Sequence, residues 1–300
     1  MPAERQLTSP IRTIVNLLNP VQLMLGLLAY WLGVGLARYL GATILPEPQI
    51  FGGALVMLLL ATSSLLTEYF RPFNEPLVVG ETPKERELLR SQVLVVSVTF
   101  LVVAAILVFV LQVAGFFKTE TALILALLGL LALANAIPPV RLVNRGLGEL
   151  SRAFQIGSLI PTLAFLFQFG TVHRLLTIFS IPLFLMALSY FLAQNFPTFA
   201  DDLKYERRTF LMALSWERAI PLHNLLIFSA YLFMAASPFF GVPVAFVWPA
   251  MLTLPLAGYQ VFILRGLADG ARPVWPVFVV TSTTLLALTT YLIALSLWLR

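Results

Sequence analysis

Residues 91–114 read SQVLVVSVTFLVVAAILVFVLQVA, a run without Asp, Glu, Lys or Arg. At 1.5 Å per residue such a run makes a helix of about 36 Å, longer than the roughly 30 Å hydrocarbon core of a bilayer. A membrane strand would alternate apolar and polar residues, and this run is continuous, which argues against a barrel. Eight further stretches read the same way, and the predicted spans are 17–40, 50–70, 91–114, 121–138, 153–172, 175–195, 218–238, 241–264 and 275–299. The fourth is short and ends at Pro138-Pro139. Pro161, Pro182 and Pro255 fall inside spans, where neighbouring helices can satisfy the carbonyls that proline frees. The expected fold is all-α: a polytopic membrane protein of about nine transmembrane helices, with residues 1–300 as a single membrane domain.

Composition agrees. Of 300 residues, 59% are hydrophobic and 11% charged, against about 25% charged in soluble domains. No polar stretch is long enough for a separate soluble domain. Cysteine is absent, which excludes disulfides and thiolate metal sites, and two histidines, His173 and His223, are too few for a haem or zinc cluster. Residues 1–16 carry Glu4, Arg5 and Arg12, with no short apolar run leading to a cleavage site, so this segment is expected to remain as a cytoplasmic N-terminus.

The net charge of +5 matters less than where the charges fall. With the N-terminus in the cytoplasm, 15 of the 19 Lys and Arg residues lie on the cytoplasmic side; Arg38, Lys118, Arg174 and Arg300 lie opposite. The positive-inside rule therefore predicts N-terminus in and C-terminus out. The basic residues suit a membrane face, and no nucleic-acid partner is expected. Acids crowd onto the same side, with only Glu47 and Glu120 opposite. Longer loops hold more polar residues of any kind, but both signs together also suit a polar site built from the three long cytoplasmic loops, 67–90, 139–152 and 195–218.

The middle loop contains Asn135-Ala136-Ile137-Pro138-Pro139-Val140-Arg141-Leu142 and then Arg145-Gly146-Leu147-Gly148-Glu149-Leu150. The first has Glu68-Tyr69-Phe70 followed by Glu75-Pro76-Leu77-Val78-Val79-Gly80; the third has Phe196-Pro197-Thr198-Phe199-Ala200-Asp201-Asp202, then Arg207-Arg208-Thr209-Phe210. In order and position these strings resemble the UbiA superfamily of membrane prenyltransferases, closest to its naphthoate and quinone-precursor branch. The resemblance spans about residues 10–300. It implies a nine-helix bundle, a polyprenyl diphosphate donor, a small aromatic acceptor, and Mg²⁺ held between two acidic motifs. Mg²⁺ suits carboxylate and phosphate oxygens. Metal and basic side chains would neutralise the departing diphosphate, and an apolar cavity would keep water from the allylic cation.

Carried over position by position, the resemblance makes Glu68, Asp201 and Asp202 the candidate catalytic and metal-binding acids. Arg71, Arg141, Arg145, Lys204, Arg207 and Arg208 become the candidate diphosphate-binding cations. Several positions depart from the family pattern: Thr67 stands for Asn, Arg71 and Thr198 for Asp, Glu75 for Arg, Glu206 for Gly, and Asn135 for Tyr. Arg71 replaces a ligand with a cation, which repels a metal or else binds the diphosphate directly. In the first case Asp202 should face Glu68 closely enough for one ion to bridge them; in the second, Arg71 should pair with Asp201 or Asp202.

Simpler readings exist for each residue. Asp201 and Asp202 also suit a solvated loop edge, Glu68 a helix end, and the arginines ordinary positive-inside anchors. Lys84 to Arg90 reads as a charged helix start with i,i+4 contacts, His223 as a packed residue, and Trp31, Trp216, Trp248, Trp275 and Trp298 as interfacial. Three functions are compatible with this pattern. The first is a prenyltransferase. The second is a relative that has lost the metal site and holds or presents an isoprenoid lipid. The third, a transporter, ranks last because the candidates for an intramembrane ionisable path are only Arg38, near a span end, and His223.

Overall fold

The computed structural model describes residues 10–78 and 80–300, with side chains from Arg12 onward. Its helices are α1 (Pro10–Leu17), α2 (Pro20–Tyr39), α3 (Pro46–Tyr69), α4 (Pro83–Val113), α5 (Thr119–Ala136), α6 (Gly148–Phe169), α7 (Arg174–Asn195), α8 (Phe199–Lys204), α9 (Phe210–Leu214), α10 (Trp216–Ala236), α11 (Val244–Met251), α12 (Leu254–Ala268) and α13 (Trp275–Trp298). Eight are long and apolar enough to cross a membrane. Helices α11 and α12, bent by 44°, form the ninth candidate where one span was predicted at 241–264.

The bend has a cause. Pro255 lacks an N–H and crowds the carbonyl four residues back, which weakens the helix there. Thr253, at the break, donates its hydroxyl proton to the Ala250 carbonyl at 2.6 Å. Having one proton, it then accepts from the hydroxyls of Tyr231 (2.5 Å) and Thr289 (2.9 Å) on α10 and α13. Polar groups freed by the break are thus paired inside the bundle.

The fifth span starts at Gly148, five residues before the predicted 153. A π turn at Gln155–Leu159 interrupts it just ahead of Pro161. The wider turn accommodates a proline that an α-helical repeat would not. Close packing surrounds this segment: a Cβ on Gly157 would run into the backbone of Phe184 on α7, and one on Gly33 of α2 into the carbonyl of Pro161. Small residues at such crossings let membrane helices approach where no hydrophobic effect drives them together.

Leu32 and Leu36 of α2, Leu55 and Leu60 of α3, and Ile160 and Phe165 of α6 are fully buried at the centre. Helix α4 lies at the rim, exposing Val95, Val98, Val102, Ile106 and Phe109, as expected of a lipid-facing helix. At one end, Arg38 stacks over Trp298, whose indole N–H reaches the Trp31 carbonyl at 3.2 Å, a pattern that suits a membrane interface. The three long loops meet at the other end. Glu149, at the start of α6, accepts from Asn195 Nδ2 (2.7 Å) and from the Phe210 backbone N–H (3.2 Å), tying the middle loop to the third. Arg207 ties the third loop to the first through Glu75.

Candidate functional site

The loop junction is organised by alternating charges. Arg71 leaves the end of α3 and turns back. Its Nη2 lies 2.5 Å from Glu68 Oε2, its Nε 3.1 Å from Glu75 Oε1, and its Nη1 donates to the Pro76 carbonyl at 3.0 Å. Glu75 also pairs with Arg207, whose Nη1 donates to Asp202 Oδ1 at 2.9 Å. The order across the junction is Glu68, Arg71, Glu75, Arg207, Asp202. Glu75 and Asp202 are each 1% exposed, so their charges depend on these partners.

Local structure explains the placement. Glu81 accepts from the backbone N–H groups of Leu77 and Val78 (2.8 and 3.0 Å) and from Arg86 Nε (2.6 Å), folding the first loop back over itself. Thr82 and Glu85 form a reciprocal capping box that starts α4. On the third loop, Asp202 sits one turn after Thr198, whose hydroxyl donates to its Oδ2 at 3.1 Å; Thr209 lies at 3.5 Å. Burial raises the Asp202 pKa above its usual 3.8, against the lowering influence of Arg207 and the two threonines. Burial also opposes the charge on Arg207, but Glu75 and Asp202 more than offset it and hold its pKa up.

Arg141 faces the same cluster from the middle loop. Its backbone is left-handed, φ 36°, a conformation that costs a non-glycine residue energy and fixes where the side chain leaves the chain. Its Nε is buried without a hydrogen-bond partner, and it makes no ion pair with any described residue. Burial lowers its pKa; Glu75 and Glu68 act to raise it, and Arg71 and Arg90 to lower it.

The remaining predicted cations lie outside this chain of pairs. Arg145 is exposed and donates to the Pro139 carbonyl at 2.8 Å. Lys204 is exposed and lies over the Tyr205 ring, and Arg208 is exposed. Asp201 is exposed while its neighbour Asp202 is buried, so the two do not share one environment.

Glu68, Asp201 and Asp202 are therefore not brought together. Arg71, Glu75 and Arg207 stand between Glu68 and Asp202 instead of a shared ion, and Arg71 pairs with Glu68 and Glu75 rather than with Asp201 or Asp202. Among the described residues no three His, Asp or Glu side chains converge as a metal site. Mg²⁺ needs near-octahedral oxygens at about 2.0–2.1 Å. Here guanidinium groups already occupy the carboxylates, so the residues present do not fit that ion.

Glu75, the centre of the chain of pairs, entered the sequence reading only as a departure from a pattern. Its i,i+4 spacing from Arg71 was a usable signal; its link to Arg207, 132 residues away, had none. Below the junction, Asn135 is 0% exposed with both amide atoms unpaired, one turn beyond Ala132, whose carbonyl accepts from Ser63 at 2.8 Å. An apolar cleft of about 350 Å³ lies under the middle loop, lined by Leu131, Leu142, Leu147, Leu150, Phe154 and Phe184. Leu147, Leu150 and Phe154 on its lining are exposed.

No protein-family model matches the chain, and no curated protein does. Solved structures do. A UbiA homolog from Archaeoglobus fulgidus bound to GPP and Mg²⁺ superposes with a TM-score of 0.66 at 15% identity, covering 94% of this chain and 99% of that one. The same homolog bound to DMAPP and Mg²⁺ gives 0.65 at 16% identity, with the same coverage. A digeranylgeranylglyceryl phosphate synthase gives 0.57 at 10% identity, over 97% of this chain and 98% of that one. At such identities the likeness establishes the fold alone: an all-helical fold like that of these UbiA homologs, over nearly the whole chain.

Proposed function

We propose that this protein binds a polyprenyl diphosphate at the loop junction, with the diphosphate met by guanidinium groups rather than by Mg²⁺. The observation that carries this reading is the chain of pairs from Glu68 to Asp202, which neutralises the acids a metal would need. Arg141 makes no ion pair with any described residue, and its Nε is unpaired. Guanidinium groups match phosphate oxygens in both geometry and charge. Arg145, Lys204 and Arg208 add positive charge at the rim. The fold's likeness to chains bound to GPP and DMAPP supports the ligand class. The isoprenoid tail belongs with apolar side chains and lipid, for which the cleft under the middle loop is suited. The product of this reading is a protein that holds or presents an isoprenoid lipid.

One observation favours a second reading, prenyl transfer to a small aromatic or quinone-precursor acceptor. Asp202 is retained at its motif position, buried and oriented by Thr198, with Glu149 fixing the loops around it. There the allylic C–O bond breaks, diphosphate leaves, and a ring carbon of the acceptor forms the new C–C bond and loses its proton. Asp202, Asp201 and Glu68 would be the acids nearest that chemistry. Incubating the purified protein in lipid with radiolabelled geranyl diphosphate and a panel of aromatic acceptors, in Mg²⁺ or in EDTA, separates the two. Label retained in EDTA without a prenylated product supports the first; product that needs Mg²⁺ supports the second.

A further inference from the structure

A recess of about 830 Å³ opens between the end of α3, the first loop and the start of α4. Its lining includes Tyr69, Phe73, Arg86, Glu87, Arg90 and Leu94. This is within the usual size range of ligand sites. Its most unusual member is Arg90, which is 7% exposed. Nη2 of Arg90 donates to the carbonyls of Arg71 (2.6 Å) and Pro72 (3.0 Å), and the Phe73 ring covers the guanidinium at 4.2 Å. Its Nε is buried with no partner, and it pairs with no described acid. Arg86, one turn earlier on the same face, is already paired with Glu81, its Nε 2.6 Å from Oε1. A buried cation with an unpaired N–H and no ion pair among the described residues is a site short of an anion.

The depth of the recess in the membrane identifies the source of that anion. Helix α4 has 31 residues, about 46 Å at 1.5 Å per residue, against a hydrocarbon core of about 30 Å. The apolar part from Val93 to Val113 fills that core on its own, which leaves Arg86 and Arg90 at headgroup level. Leu94 continues the recess into the lipid-facing stripe of Val95, Val98 and Val102. An acyl chain lying along that stripe places its phosphate against Arg90.

We propose that this recess binds the phosphate of an anionic phospholipid, with Arg90 and Arg86 on the headgroup and the α4 stripe under an acyl chain. The recess shares Arg71 with the junction, but its unpaired cation is Arg90, so lipid preference and diphosphate binding are read out separately. The test is native mass spectrometry of the detergent-purified full chain with equimolar phosphatidylglycerol and phosphatidylcholine. The wild type should retain phosphatidylglycerol about tenfold over phosphatidylcholine, the scale of a charged hydrogen bond. Arg90→Gln should remove that preference. Glu87→Lys, at an exposed position on the lining, should raise it several-fold and decides the matter if Arg90→Gln fails to fold. Millimolar inorganic phosphate should leave the bound lipid in place. A folded Arg90→Gln that keeps the preference, a Glu87→Lys that leaves it unchanged, or displacement by phosphate alone would each overturn the assignment.

Discussion

Arg207 pairs with Glu75 across 132 residues of chain while its Nη1 sits 2.9 Å from Asp202. One guanidinium therefore serves two carboxylates from different loops, and each carboxylate is almost wholly shielded from water. Buried charges are costly unless paired, and removing the shared partner leaves Asp202 without an ion pair and Glu75 with Arg71 alone. Arg207→Ala should lower stability by about 3 kcal/mol. Glu75→Gln combined with Arg207→Gln should cost less than the two single changes added together, because the sites are coupled. Unfolding midpoints of the wild type and the four variants in one detergent check this.

Asp202 makes stability depend on pH. Its folded pKa is raised above 3.8, so between the unfolded and folded values the folded state binds the extra proton. Stability should therefore fall as pH rises through that window and level off above the folded pKa. Asp202→Asn should flatten this slope. The measurement is the unfolding midpoint followed upward from about pH 4, and a variant with the wild-type slope would show that another group is responsible.

Glu149 holds the middle and third loops together through Asn195 and the Phe210 backbone. Glu149→Ala leaves both donors unpaired and should cost about 1–3 kcal/mol. Hydrogen exchange should speed up first at residues 195–210, before the helices themselves open. Uniform acceleration across the chain would contradict a role confined to the loops.

Much of this fold is legible in the sequence because length and apolarity decide it: 91–114 needed no other argument. The string from Arg145 to Glu149 placed the middle loop, and the order of three loop motifs pointed to the fold that the structure has. What escaped the sequence is contact between distant segments. Nothing in residues 67–78 says that Glu75 will meet Arg207. Thr253 marks a break within a span only because Tyr231 and Thr289 come from two other helices to meet it. The run Lys84 to Arg90 read as i,i+4 contacts along one helix, yet Arg86 reaches Glu81 and the Phe73 carbonyl, and Arg90 reaches Arg71 and Pro72.

The cysteine-free chain makes membrane orientation directly measurable. Single cysteines at Lys84, Leu147 and Lys204 should react with an impermeant maleimide from the cytoplasmic side, and one at Lys118 from the other. The 15-to-4 distribution of basic residues is the reason. Position 147 reacting from the side opposite to 84 and 204 would sink the proposed topology.

Arg71 is the residue whose charge sets the junction apart from a metal site. Arg71→Asp removes the cation between Glu68 and Glu75 and adds a third carboxylate beside them. That variant should gain Mg²⁺-dependent binding of geranyl diphosphate, where the parent shows none. Equal binding with and without Mg²⁺ in the variant would mean that Arg71 is not what keeps the metal out.

The most direct test is the affinity for geranyl diphosphate measured in EDTA and again in Mg²⁺, for the wild type and for Arg141→Gln. Binding through guanidinium groups predicts the same affinity in both conditions, and a loss of about 1.5–3 kcal/mol on replacing Arg141, as for a charged hydrogen bond. Binding that appears only when Mg²⁺ is present, and that ignores the change at Arg141, would contradict the account.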